Sequence, residues 1–71
     1  MDELIKQSLL IFLDHNRVSA SLLQRKLEIG FAQTMKILNE LENRGYISRN
    51  DNKTKLLITK AQYDKLFNGE I

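Results

Sequence analysis

The sequence predicts a mostly α-helical fold with one small β-hairpin: three helices, a wing and an extra C-terminal helix. Three observations predict it. Apolar residues recur at helical spacing in the first two thirds of the chain. Gly30 sits between two such stretches, and short glycine-containing turns join the helices of a helix-turn-helix. Past Gly45 the period changes, and two short β-prone runs flank a polar turn. Together these describe a winged helix-turn-helix. The 71 residues make one domain, with helix 1 over 1–14, the helix-turn-helix over 19–45, the wing over 46–59 and the last helix over 60–69.

The first helix is predicted over Asp2–Asp14. Leu4, Ile5, Ser8, Leu9 and Phe12 form its inward face, widened by Ile11 and Leu13. Asp2 and Glu3 favour its first turn through the helix dipole, and His15 and Asn16 mark its exit. The second helix, Ala20–Leu27, turns Leu22, Leu23 and Leu27 inward. Ser19 and Ser21 can each cap it, and Ser21 with Gln24 makes a capping-box pattern. Gly30 is expected to take a positive φ in the turn, with Ile29 and Phe31 pointing into the core. The third helix is predicted over Ala32–Arg44, with Met35, Ile37, Leu38 and Leu41 inward and Gly45 ending it. Tyr46–Ser48 and Lys55–Thr59 read as the strands of the wing, around the polar turn Arg49–Lys53. Thr59 is a candidate N-cap for the last helix, Lys60–Asn68, which Gly69 ends.

Charge is sorted along the chain. Residues 17–60 hold nine basic and four acidic side chains, whereas the ends hold two basic and five acidic ones. A basic middle suits a domain that turns one face to phosphates. In a helix-turn-helix the second helix of the pair enters the major groove. Here its outward face would carry Ala32, Gln33, Lys36, Asn39, Glu40 and Asn43. Gln and Asn can bond adenine in two places, Lys can reach guanine acceptors or phosphate, and a small Ala32 lets backbone approach closely. Ser21, Gln24 and Arg25 on the preceding helix are placed for phosphates, as are Arg49, Lys53 and Lys55 on the wing. Glu40 opposes DNA slightly, although Glu can accept from cytosine.

Other chemistry finds little support. There is no cysteine, which excludes disulfides and thiolate zinc sites and fits a cytoplasmic location. His15 is the lone histidine and the carboxylates are scattered, so no catalytic pair, metal site or cofactor is expected and the protein reads as a non-enzyme. The longest apolar run, Leu9–Leu13, is too short for a bilayer, and the acidic start is unlike a signal peptide.

The run Ser19–Phe31, with Leu23-Gln24-Arg25 and Ile29-Gly30-Phe31, resembles the gamma domain of FtsK/SpoIIIE-type DNA translocases, as does Glu42-Asn43-Arg44-Gly45-Tyr46-Ile47 leading into the wing. The resemblance spans roughly residues 2–58. It implies a winged helix that binds duplex DNA, reads short polar chromosomal sequences and contacts a site-specific recombinase. Where that family has Asn-Arg, this chain has Ala32 and Gln33; Lys36 stands for an Arg, and Asn39 for an acidic residue. Altered specificity follows, in a stand-alone accessory factor of a replication, recombination or mobile-element system.

A second class of function competes with this one. Phe12, Tyr63, Leu66 and Phe67 exceed what a minimal winged helix needs. They would form a homodimer or partner interface, making the protein an adaptor for a primase, polymerase or helicase, or a small transcriptional regulator.

Overall fold

A run of leucine and isoleucine at three- and four-residue intervals makes α1 (Asp2–His15), whose buried stripe is Ile5, Ser8, Leu9 and Phe12. The structure, a computed structural model, describes residues 2–50 and 53–67. Asn16 ends α1 with a left-handed φ of 56°. The Arg17 amide then reaches back to the Phe12 carbonyl at 3.1 Å and the Asn16 amide to Leu13 at 3.3 Å, the paired bonds of a Schellman cap. Helix α2 (Ala20–Leu27) starts on Ser19, whose Oγ accepts from the Leu22 amide at 3.2 Å. Ser19, not Ser21, is therefore its cap.

The turn between α2 and α3 (Phe31–Asn43) differs from expectation in two ways. Glu28, not Gly30, takes the left-handed step, at φ 55°. Gly30 is extended, at φ −81° and ψ 174°, and is the N-cap of α3. A helix that closes with a left-handed residue places it directly after its last turn. Here that position is Glu28, and Ile29 and Gly30 only carry the chain to the next helix. Phe31 also departs from expectation: it is 68% exposed. The inner stripe of α3 runs through Thr34, Ile37, Leu38 and Leu41, and Phe31 lies a turn before it, past the end of the core. The Thr34 hydroxyl, donating to the Gly30 carbonyl at 2.8 Å, makes its burial affordable for a polar group. Gly45, by contrast, has the positive φ (81°) expected of a glycine after a helix.

The hairpin pairs β1 (Ile47–Asn50) with β2 (Lys53–Leu56), in the register Ile47↔Leu56, Ser48↔Lys55, Arg49↔Thr54 and Asn50↔Lys53. Both strands sit nearer the tip than predicted. The ladder begins where the Leu57 amide meets the Tyr46 carbonyl at 2.9 Å, directly after Gly45 has turned the chain out of α3. Leu57, Ile58 and Thr59 therefore leave the sheet. Residues 51 and 52 of the predicted turn lie outside the described residues.

Thr59 caps α4 (Lys60–Phe67) in a reciprocal box: the Gln62 amide donates to Thr59 Oγ1 at 3.2 Å, and the Thr59 amide to Gln62 Oε1 at 2.8 Å. Asn68 and Gly69, predicted to finish the helix, lie outside the described residues. Tyr63 is buried and packs on Phe67, with ring centroids 5.0 Å apart, and Tyr46 meets Phe67 edge-on. Ile5, Leu9, Phe12, Leu23, Ile37, Leu38, Leu41, Ile47 and Tyr63 form one continuous core. This corrects part of the interface expectation. Phe12 and Tyr63 complete the core of the chain itself, as its helices need apolar surface between them. Phe67 is half-buried beside them, and Leu66 alone of the four is exposed.

Candidate nucleic-acid interface

The inner stripe fixes which way α3 faces. At about 100° per residue, burying Thr34, Ile37, Leu38 and Leu41 turns Ala32, Lys36, Asn39 and Asn43 to the opposite side. All four are exposed, as is Gln33 on one flank. Phe31, apolar yet outside the core, adds an exposed aromatic ring at the same N-terminal end. That end is also bare. Gly30 gives no side-chain cap, and a Cβ added there would meet nothing within 4 Å. No side chain caps the first amides of α3, at the helix end where the dipole favours an anion.

Helix α2 adds exposed Arg25 in its last turn and half-buried Gln24. Ser21 is exposed, with its hydroxyl 3.2 Å from that of Ser19. Among the described residues, neither Arg25 nor Lys36 takes part in a salt bridge. On the wing, strand alternation separates the basic residues. Lys53 and Lys55 share one face of β2 and are exposed. Arg49 lies two residues from buried Ile47, so it shares the inward face of β1 and leans on α3. Its guanidinium bonds Glu42 Oε1 through both Nε (3.0 Å) and Nη2 (2.8 Å), and Nη2 also reaches Asn39 Oδ1 at 2.5 Å. The sequence hinted at this through the Ile47–Arg49 spacing, but the partners lie on another element.

Glu40 is likewise occupied. Its carboxylate accepts from Arg44 Nε at 2.7 Å, and Arg44 Nη2 bonds Asp2 at 3.1 Å. These contacts, the Glu40 bond foremost and then Asp2, raise the Arg44 pKa further above its already high ordinary value. The negative charge that opposed DNA on this face is thus balanced within the chain.

The model of the Ftsk gamma domain matches residues 1–58. Among curated proteins, a DNA translocase FtsK of Clostridium acetobutylicum is 44% identical over 50 residues, covering 70% of this chain and 6% of the relative. Proteins of the same name from Clostridium tetani and Caldanaerobacter subterraneus are also 44% identical over 50 residues, again 70% of this chain and 7% of each relative. The chain thus spans a small fraction of the length of these relatives. No solved structure matches it.

Proposed function

The chain belongs to the FtsK gamma domain family, and from that premise we propose that it is a non-catalytic DNA-binding module whose α3 reads the major groove of duplex DNA. One observation carries the reading: Lys36, Asn39 and Asn43, with the small Ala32 at their N-terminal end, form an exposed row on α3, opposite its buried stripe. Arg25, Lys53 and Lys55 supply cations around it for the phosphates, with Ser21 and Gln24 as neutral partners on α2. The curated relatives are named DNA translocases, which supports DNA as the ligand.

The site preference is proposed to differ from that of the translocases. Ala32, Gln33 and Asn39 depart from the base-reading pattern that the resemblance supplies. Such a module would serve a different DNA site, as an accessory factor of a replication, recombination or mobile-element system. The adaptor reading loses most of its surface, because Phe12 and Tyr63 are buried, leaving Leu66 and the edge of Phe67.

Fluorescence anisotropy on random duplex and single-stranded oligonucleotides, titrated against salt, tests this. Duplex should bind more tightly, and its affinity should fall steeply as salt rises. Arg25→Ala and Lys36→Ala should each weaken binding and lower the salt slope by about one if they meet phosphate. Salt-independent binding, or none, rejects the proposal.

A further inference from the structure

The contact between Arg49 and Asn39 has a consequence for base recognition, given the DNA-binding reading above. Arginine carries only donors, so the atom of the Asn39 amide that faces it must be the oxygen. The usual ambiguity between the two ends of an asparagine amide is therefore resolved by chemistry. Glu42 holds the guanidinium through two further bonds from the next turn of α3, so the arrangement is braced from both sides. Asn39 is exposed in the middle of the outward row. With its oxygen turned to Arg49, its NH2 group is the end that points away from the guanidinium.

We infer that Arg49 is a positioning residue that presents Asn39 as a donor, so that this position of the DNA site is read as guanine or thymine, whose major-groove acceptors have no amino group beside them on the same base, and not as adenine, whose N7 lies next to the N6 amino group. An asparagine reads adenine by accepting from N6 and donating to N7 together. Here one of the two lone pairs of the oxygen is engaged by Arg49, and an N6–H approaching the other would meet the positive guanidinium beside it. Guanine offers O6 and N7, and thymine offers O4, all acceptors that suit both the NH2 group and the nearby charge. The wing then acts on specificity through α3, although its own arginine touches no base. If Arg49 instead contacted phosphate, it would add affinity without sequence information.

Selection from a randomised duplex library gives the preferred site. Asn39→Ala identifies the base pair that Asn39 reads, as the one whose preference vanishes. At that pair the wild type should favour guanine or thymine over adenine by about 5- to 10-fold, the lower range for a good base contact. Arg49→Met, which keeps the stem and removes the donors, should bring that ratio to within about twofold of unity or turn it toward adenine. Glu42→Gln should shift the ratio in the same direction, and Arg49→Lys should restore part of the preference. A circular-dichroism melt establishes that each variant is folded, and Glu42→Gln carries the test if Arg49→Met is not. Equal weakening by Arg49→Met on all four bases, with a salt slope lower by about one, would overturn the inference and leave duplex binding intact. No duplex binding by the wild type would overturn the proposed function and this inference with it.

Discussion

The two faces of α3 alternate along a single run of residues and obey opposite rules. Ile37, Leu38 and Leu41 are buried among the side chains of α1, α2 and β1, so their shape is fixed by neighbours. Lys36, Asn39 and Asn43 stand one or two positions away and are exposed. The fold places no steric demand on them. The inner face can therefore define a family fold while the outer face changes its ligand. The Asn39–Arg49 bond is the exception, since it ties an outward residue to the wing.

The largest effect comes from breaking the inner face. Leu41→Ala should cost about 2–5 kcal/mol, seen as a lower urea midpoint, which is a large share of the stability of so small a domain. Lys36→Ala on the outer face should stay within about 0.5 kcal/mol in the same measurement while weakening DNA binding. The two glycines at the ends of α3 sharpen the contrast. Gly45→Ala forces a side chain into φ 81° and should cost about 1–2 kcal/mol. Gly30→Ala has an ordinary φ and open space, so its stability should change by no more than about 0.5 kcal/mol, a weaker cap being offset by a stiffer unfolded chain.

The smallest effect is confined to alkaline pH. Burial raises the Tyr63 phenol above its ordinary value of 10.0, with Lys60 opposing and Asp64 and Glu3 adding to the shift. A raised folded-state pKa means that stability is fully present below about pH 10 and is lost as pH climbs through the folded value. Urea midpoints should therefore fall above pH 10 in the wild type, and Tyr63→Phe should flatten that fall. An unchanged slope in Tyr63→Phe would assign the alkaline loss to other groups.

The helices were legible because burial imprints its period on the sequence: Ile5, Leu9 and Phe12, or Ile37, Leu38 and Leu41, allow one inward face each. The turn was less legible. Gly30 is the residue type best suited to a positive φ, but the need for one arises at Glu28, and position outweighs residue preference there. Phe31 is apolar, yet whether it is covered depends on where the core ends, which is a tertiary fact. The outward row on α3 followed from the inward one by geometry. The Arg49 contacts did not, because Arg49 was expected in the turn and lies in β1, which runs two residues further, and because Glu42 and Asn39 belong to another element. In the linear pattern Phe12 and Tyr63 look surplus, because the demand of α4 for a partner is invisible there.

The family match stops at residue 58, but Tyr63, five positions further on, closes the same core that holds Phe12 of the first helix. A nascent chain therefore leaves one side of that core uncovered until α4 has emerged from the ribosome. The first helix, made earliest, gains one of its packing partners only when the fourth has been synthesised.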